Sequence, residues 1–282
     1  MADKIIKGIT ASSGIRIGKA FLYKGTRVVI PKYRIRDDEV NLEQQRFNNA
    51  LEKTREEIKG IQVQVSRSLS SDLADIFTSH LMVLEDPQIV EQALEKLKTE
   101  KRNIEWILND ISLELMKSLE SIDDDYLRER ILDISDIHKR LIANLQKVEH
   151  TSLSQLDEEV VVFATELTPS DTALLDRDNV LAFVTNSGGK TSHTAILARA
   201  LEIPAIVGTR NGTSQIRNGD RIIVDGVKGI VLVNPSTEEI RDYVTQQQEL
   251  LILERELSKL THLPAVTLDD VEITIQGNIE LP

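Results

Sequence analysis

Cysteine is absent from all 282 residues of the chain. The protein therefore cannot form disulfides, use a thiolate nucleophile or bind zinc through cysteine. This composition fits a reducing cytoplasm, which is where we expect the protein. Aromatic residues are also scarce, at 4% of the sequence, so the chain offers no evident surface for stacking nucleic-acid bases.

Long apolar runs and an excess of basic charge are missing too. No segment approaches the roughly 18 consecutive apolar residues of a membrane-spanning helix, and residues 1–8 contain no signal-peptide core. Acidic residues outnumber lysine and arginine by 46 to 34, which leaves a formal net charge of −12. We therefore expect neither nucleic-acid binding nor membrane insertion, and a basic protein partner if the acidic residues cluster.

Glycine and proline almost disappear between residues 36 and 149, where only Gly60 and Pro87 occur. Apolar residues recur in this region at helical three–four spacing. One face comprises Phe47, Leu51, Thr54, Ile58, Ile61 and Val65, and another comprises Leu127, Ile131, Ile134, His138, Leu141, Leu145 and Val148. The pattern predicts an all-α bundle of four or five helices.

Short apolar runs separated by glycine flank this helical region on both sides. Strands are predicted over residues 5–9, 15–23, 160–164, 180–184, 205–208, 221–225 and 229–233. Helical segments alternate with the later strands, which is typical of an α/β domain. Because the early strands have no partners of their own, we expect them to complete the later sheet, with the bundle as an insertion.

The sequence thus predicts five consecutive segments. They are residues 1–35, the first strands of the α/β domain; 36–149, the inserted helical domain; 150–234, the remainder of the α/β domain; 235–263, a linker helix; and 264–282, the start of a further domain. The last assignment rests on a strand predicted over residues 271–278. A lone strand after a long helix cannot pair its edges unaided.

The segment SGGKTSHTAILAR, residues 187–199, places His193 where a glycine-rich turn becomes a helix. Glycines let the backbone approach a ligand, and the exposed N–H groups at a helix start favour phosphate. An imidazole at this point is a nucleophile near neutral pH. The residues expected to form this phosphate loop are Gly188, Gly189, Thr191 and Ser192, with Thr191 or Ser192 as the helix cap.

The same loop has two other interpretations. A nucleotide P-loop is excluded, because that motif needs a glycine five positions before Gly189 and Val184 stands there. A histidine that only caps or packs in an ordinary βα unit remains the non-catalytic alternative. The helix after His193 is expected to bury its apolar residues, which are Ile196, Leu197, Ala200 and Leu201.

The loop and the helix after it resemble the swivelling phosphohistidine domain of phosphoenolpyruvate-utilising enzymes. Residues 8–20, 80–87, 123–130 and 167–173 are similar to segments in the N-terminal half of enzyme I of the bacterial phosphoenolpyruvate:sugar phosphotransferase system. The resemblance extends over nearly the full chain. Two departures are Ser13, where proline is usual, and Lys190, where an arginine is common.

The resemblance implies an α/β swivelling phosphohistidine domain with an inserted all-α helical bundle and a long C-terminal linker helix. It also implies that Nε2 of His193 receives a phosphoryl group from phosphoenolpyruvate and passes it to a histidine of the carrier protein HPr. By motif position, the hydroxyl of Thr172 sets the tautomer of His193, with Thr168 as a weaker candidate. Lys190 and Arg199 are the cations nearest to His193 in sequence.

The family likeness also suggests where HPr docks. Apolar residues ringed by carboxylates suit a basic partner that carries a small hydrophobic patch. The residues expected in this surface are Asp72, Asp75, Met82, Val83, Glu85, Asp86, Ile89, Leu127 and Arg130. We expect His80, in the same region, to serve either this interface or the structure of the bundle.

Phosphoenolpyruvate and Mg²⁺ bind, in the family, to a C-terminal barrel that is not contained in residues 1–282. We therefore expect no cofactor or metal in this chain, no use of phosphoenolpyruvate by it alone, reversible exchange of phosphate with HPr, and a monomer. Two alternatives remain. One is a non-catalytic module that binds HPr or regulates it. The other is the swivelling domain of a pyruvate phosphate dikinase or phosphoenolpyruvate synthase, which lacks segments like 80–87 and 123–130.

Overall fold

The computed structural model describes most of the chain in two compact units, residues 1–236 and residues 237–282. The described residues are 4–26, 28–68, 71–120, 122, 125–148, 153, 156–176, 178–190, 192–260 and 263–274. The description leaves out the side chains of residues 68, 72, 125–129 and 254.

Five helices form the predicted bundle within the first unit. They are α1 (Val40–Ser68), α2 (Ser71–Leu84), α3 (Pro87–Glu100), α4 (Ile104–Glu120) and α5 (Asp125–Gln146). The predicted face of α1 is buried, with Phe47, Thr54 and Ile58 each at most 1% exposed. The face predicted for α5 extends too far, because the helix ends at Gln146 and Val148 is 39% exposed.

A mixed eight-stranded sheet forms the rest of the first unit. Its strands are β1 (Lys4–Lys7), β2 (Ile9–Ser12), β3 (Ile15–Tyr23), β4 (Val160–Ala164), β5 (Val180–Thr185), β6 (Ala205–Val207), β7 (Arg221–Asp225) and β8 (Ile230–Val233). The order across the sheet is β1-β8-β7-β3-β4-β5-β6-β2. Strands β3, β4, β5 and β6 pair in parallel, and the other neighbours are antiparallel. The strands that precede the bundle therefore do complete the later sheet.

Gly8 breaks the single strand that was predicted over residues 5–9. It separates β1 from β2, which lie at opposite ends of the strand order. One residue can connect them only if the sheet curls until its two edges approach each other. A Cβ on Gly8 would lie 2.5 Å from Cγ2 of Ile206 and 2.8 Å from the carbonyl oxygen of Val207, so this crossing point requires glycine.

The central parallel strands are buried on both faces. Val162 and Phe183 belong to one apolar cluster, which also contains Ala195 and Ala198 of α7 (His193–Ala200). Val161 and Val184 point to the other cluster. Two-sided burial explains why these strands are continuous apolar runs and do not alternate with polar residues. A short helix, α6 (Pro169–Ala173), follows β4, so that α6 and α7 lie after successive parallel strands.

The second unit begins with the long helix α8 (Thr237–Leu260). The strand predicted over residues 271–278 is not a regular strand in its described part, and residues 275–278 lie outside the described ranges. Val266 and Glu272 form an isolated antiparallel bridge, and the amide of Thr267 donates to the carbonyl of Val271 at 2.9 Å. A local turn thus supplies the pairing that was expected to be missing. Along the described ranges, no helix is both long and apolar enough to cross a membrane.

Candidate active site

His193 is the first residue of α7, directly after the helix cap. The Ser192 side chain accepts a hydrogen bond from the amide of Ala195 at 3.4 Å, and its hydroxyl donates to the carbonyl of Gly189 at 2.9 Å. Ser192 is therefore the cap, as expected of one of the two hydroxyl residues, whereas Thr191 lies outside the described residues. The imidazole sits at the positive end of the helix dipole, which favours an anionic group.

The backbone conformation requires glycine at residue 188 but not at residue 189. Gly188 has φ +104°, a conformation that residues with a Cβ rarely adopt. Gly189 has no such φ, and among the described residues other than its two chain neighbours no atom lies within 4 Å of the position where its Cβ would be. The backbone at Gly189 is thus open to an incoming group close to His193, whereas Gly188 shapes the turn.

The hydroxyl of Thr194 fixes the rotation of α7 by donating to the carbonyl of Leu167 at 2.9 Å. Thr194, Ala195, Leu197 and Ala198 are consequently the buried residues of the helix. The predicted stripe is therefore partly wrong, because Ile196 is 36% exposed and Ala200 is only half-buried. The expected burial of Leu197 and Leu201 is confirmed.

The bundle reaches this site through Asp133 on α5. Nδ1 of His193 lies 3.8 Å from Oδ1 of Asp133, and the two side chains are 21% and 2% exposed. Asp133 is not among the residues predicted from the sequence. A usable signal was present, since Asp133, Asp136 and Arg140 recur at helical spacing and form a polar stripe that a helix packed against a second element must satisfy.

His80 binds the same carboxylate from α2. Its Nε2 lies 3.1 Å from Oδ1 of Asp133, and its Nδ1 lies 3.8 Å from Oδ2 of Asp136. The edge of Phe77 packs against its ring, with centroids 5.4 Å apart. At 1% exposure, His80 is a buried residue of the bundle and does not belong to an exposed interface.

Thr172 is fully buried in α6, close to the loop that anchors α7. Its hydroxyl donates to the carbonyl of Thr168 at 2.9 Å. The side chain of Thr168 caps α6 by accepting from the amide of Asp171 at 3.1 Å. Both predicted tautomer-setting hydroxyls thus make bonds within α6, and their action on His193 stays a prediction.

The two predicted cations occupy different positions. Lys190 is exposed beside the glycine turn. One guanidinium nitrogen of Arg199 donates to the carbonyl of Ala11 at 3.0 Å and to that of Lys190 at 3.2 Å. Arg199 therefore joins α7, β2 and the loop through these two bonds.

A polar cavity of about 530 Å³ lies next to α6, between the sheet and α5. Its walls include Tyr23, Asp136, Arg140, Glu166, Thr168 and Asp171. The hydroxyl of Tyr23 donates to Asp171 at 2.6 Å. Burial raises the pKa of both the Asp171 and Glu166 carboxyls. Within the described residues, no group of three or more histidine, aspartate or glutamate side chains could hold a metal ion.

Only some of the residues predicted to bind HPr are exposed to solvent and not already bonded within the protein. Met82 is 70% exposed and Asp75 is exposed on the same helix, whereas Val83 and Ile89 pack partly against the bundle core. The carboxylate of Glu85 accepts from Nε of Arg55 at 2.7 Å, and Asp86 caps α3. Nη1 of Arg130 lies 3.6 Å from Oδ2 of Asp133. The side chains of Asp72 and Leu127 lie outside the description.

Comparison with protein families gives two matches that cover most of the sheet and much of the bundle. The family described as "PEP-utilising enzyme, N-terminal" matches residues 7–130, and "PEP-utilising enzyme, mobile domain" matches residues 156–229. The second match contains the glycine turn and His193.

Curated relatives carry the name phosphoenolpyruvate-protein phosphotransferase. The Bacillus subtilis protein is 40% identical over 277 residues, which cover 98% of this chain and 48% of that relative. The proteins of Geobacillus stearothermophilus and Staphylococcus aureus are 41% and 40% identical over 280 residues, which cover 99% of this chain and 48% and 49% of the relatives. The chain thus spans about half the length of these relatives.

Two solved structures share the fold. The solution structure of an enzyme I protein is 44% identical with a TM-score of 0.72, and the match covers 87% of this chain and 99% of that one. The N-terminal domain of a nitrogen-related enzyme I, at 23% identity and a TM-score of 0.56, agrees in fold. Sequence and structure together show that this chain belongs to the family of phosphoenolpyruvate-utilising enzymes and is similar to the N-terminal region of enzyme I.

Proposed function

We propose that this chain is the phosphohistidine and carrier-binding part of a phosphoenolpyruvate-protein phosphotransferase. His193 accepts a phosphoryl group and exchanges it reversibly with a histidine of HPr. The observation that carries the proposal is the position of His193 at the start of α7, beside backbone that is open at Gly189. The helix dipole and the backbone N–H groups of this turn stabilise the anion.

Apart from the nucleophilic nitrogen of His193, the protein contributes to the exchange mainly by in-line positioning and charge stabilisation. The lone pair on Nε2 of His193 forms a bond to phosphorus while the bond from phosphorus to the carrier's imidazole nitrogen breaks. That nitrogen keeps the electron pair, so no proton has to leave His193. Lys190 supplies a nearby positive charge, and Arg199 holds the loop through its bonds to two carbonyls.

HPr docks, in this proposal, on the bundle around Met82 and Asp75 of α2. Exposed methionine surrounded by carboxylates offers an adaptable apolar contact to a basic partner. The neighbouring members of this surface are Asp72, Val83, Glu85, Asp86, Ile89, Leu127 and Arg130. Because Glu85 and Asp86 already serve Arg55 and the α3 cap, we assign the electrostatic attraction chiefly to Asp75.

Use of phosphoenolpyruvate, with its Mg²⁺, is assigned to a further domain of the complete protein. This fits a chain that spans about half the length of its relatives, which are named for that reaction. We also propose the segment boundaries at residues 35, 149, 234 and 263, the linker role of α8, and a monomeric state for residues 1–282.

Transfer of ³²P from phospho-HPr tests the proposed function. We expect label on the wild-type chain from phospho-HPr but not from phosphoenolpyruvate with Mg²⁺. His193→Ala should abolish the label, and His138→Gln, which removes a partly buried histidine of the bundle, should keep it. Label on His193→Ala would contradict the assignment of the phosphorylated residue. A folded wild-type chain that binds HPr without taking label would instead support the non-catalytic binding module.

A further inference from the structure

One buried carboxylate stands between two histidines that come from different parts of the first unit. Oδ1 of Asp133 lies 3.1 Å from Nε2 of His80 and 3.8 Å from Nδ1 of His193. The bundle supplies Asp133 and His80, and the sheet region supplies His193. Asp133 is 2% exposed, so water contributes little to satisfying its oxygens.

A carboxylate removed from water is stable only when donors surround its oxygens. His80 donates to Oδ1, and Arg130 places a guanidinium nitrogen 3.6 Å from Oδ2. The third neighbour is Nδ1 of His193. A lone pair on that nitrogen would face the carboxylate unfavourably, whereas an N–H would be attracted to it.

We propose that Asp133 is a positioning residue for His193. It holds the proton of the neutral imidazole on Nδ1 and so leaves the lone pair on Nε2, which faces the phosphoryl donor. Asp133 never touches the phosphoryl group. This inference rests on the proposed function of His193 and adds a residue from the bundle to the site.

His80 holds the Asp133 carboxylate in the orientation that this role needs. The edge of Phe77 packs against its ring, with centroids 5.4 Å apart, and restricts its rotation. Outer groups of this kind commonly set the tautomer of an imidazole and its orientation. His80 and Asp133 thus connect the interior of the bundle to the imidazole of His193.

The same contact stabilises the phosphorylated state of His193, and the reverse transfer needs no proton to move. Once phosphorus is bonded to Nε2, the imidazole carries a proton on Nδ1 and a positive charge next to the Asp133 carboxylate. When the phosphoryl group leaves, the electron pair of the N–P bond returns to Nε2 and the positive charge disappears. The proton stays on Nδ1 throughout, so the balance requires no additional acid or base.

The competing orienting group is the hydroxyl of Thr172, which the family resemblance favours. That hydroxyl donates to the carbonyl of Thr168, so it can act on Nδ1 of His193 only as an acceptor. Both groups favour a proton on Nδ1, so variants that remove one group at a time are needed to distinguish their effects. Asp133→Asn keeps the shape and removes the charge, while Thr172→Val keeps the shape and removes the hydroxyl.

The tautomer of His193 is measured by long-range ¹H–¹⁵N NMR of histidine-labelled chain at about pH 8, well above the ordinary histidine pKa of about 6.5. His193→Ala identifies the resonances. We expect the wild type to have its proton on Nδ1 and Asp133→Asn to move it to Nε2, as happens when a catalytic aspartate next to a histidine becomes asparagine. The rate of labelling by phospho-HPr should fall about 10- to 100-fold.

Two further variants control for structure. Glu105→Gln removes another carboxylate that is 2% exposed in the bundle, where it pairs with Arg46 at 2.7 Å, and it should leave the tautomer unchanged. His80→Phe keeps a flat ring without the bond to Asp133, and it should shift the tautomer partway. A proton on Nε2 in the wild type, or one that stays on Nδ1 in Asp133→Asn, overturns the proposal. A shift in Thr172→Val alone would assign the role to Thr172.

Failure of this inference is distinguishable from failure of the proposed function. The tautomer is read on unphosphorylated protein and does not depend on any transfer. A wild type that takes no label from phospho-HPr contradicts the phosphotransferase assignment. A wild type that takes label, with Asp133→Asn labelled at the same rate, contradicts only the role of Asp133.

Discussion

At the scale of single residues, the site depends on backbone freedom at two adjacent glycines and on buried polar side chains. Gly188 and Gly189 are alike in sequence but not in structure, because only Gly188 has a positive φ. His80 and His138 are both histidines of the bundle, yet one has carboxylate partners and the other sits among apolar side chains. Residue type alone therefore does not define a role.

The glycine pair gives a matched test of turn shape against ligand access. Gly188→Ala forces a side chain into the left-handed region at φ +104° and should lower the free energy of unfolding by about 1–2 kcal/mol. The new Cβ in Gly189→Ala meets no atom within 4 Å among the described residues beyond its chain neighbours, so this variant should leave stability unchanged. Its methyl group should nevertheless slow labelling of His193 about 10- to 100-fold, because it occupies space beside the reacting ring.

Chemical denaturation and ³²P transfer on both variants provide the measurement. Equal labelling rates for Gly189→Ala and wild type would show that no ligand approaches that backbone. A fully stable Gly188→Ala would show that the turn relaxes without cost.

His138 makes the bundle sensitive to acid. Burial among apolar residues, together with Lys139, lowers the pKa of His138 to about 4. Since the unfolded chain has a histidine pKa of about 6.5, the unfolded state binds the proton more readily. The contribution of His138 to the free energy of unfolding is fully present above about pH 6.5. It is lost as the pH falls toward 4, which lowers the free energy of unfolding by up to about 3 kcal/mol.

His138→Leu should remove this loss, so that the stability difference between variant and wild type grows as pH falls from about 6.5 to 4. Urea unfolding across that range measures it. The raised pKa values of Glu166 and Asp171 act in the opposite direction but are common to both proteins and cancel in the difference. A constant difference across this range would contradict the buried, neutral state of His138.

At the scale of elements, periodicity predicted the buried face of α1, but not where α5 ends or how α7 is rotated. The face of α1 is buried as its apolar spacing requires. On α7, apolar character alone favoured Ile196, but the bond from Thr194 to Leu167 turns that residue outward. The break at Gly8 could not be predicted from the local sequence either, because it is caused by close contact with β6, which lies far away in sequence.

Two glycine-to-alanine changes separate these local and nonlocal effects. Gly60 lies in the interior of α1, and a Cβ there would meet no described atom within 4 Å outside the adjoining helix backbone. Gly60→Ala should therefore raise the free energy of unfolding by about 0.5–1 kcal/mol. Gly8→Ala should lower it by about 1–3 kcal/mol, because the new Cβ meets Ile206 and the backbone of Val207.

Thermal and urea unfolding of both variants against wild type provide the comparison. The opposite signs are the essential result. A neutral Gly8→Ala would mean that β1 and β2 can separate from the position that the curled sheet gives them.

At the scale of the whole molecule, the polar site lies entirely in the first unit. His193, Asp133, Thr172 and the bundle surface around Met82 all fall within residues 1–236. We therefore expect a chain ended at Ser236 to fold and to take label from phospho-HPr at the wild-type rate. Circular dichroism and ³²P transfer test this, with His193→Ala in the shortened chain as the control. A folded but inactive short chain would place an essential group in the second unit.

By itself, the amino-acid sequence determined the helical bundle, the set of strands and the phosphate loop with its histidine. These features follow from neighbouring residues: apolar spacing, the need for glycine in a turn, and a hydroxyl that caps a helix. Only the tertiary structure decided that Asp133 faces His193, that the sheet curls at Gly8 and that Ile196 points outward. Such contacts join residues far apart along the chain, so they exist only once the bundle and the sheet pack against each other.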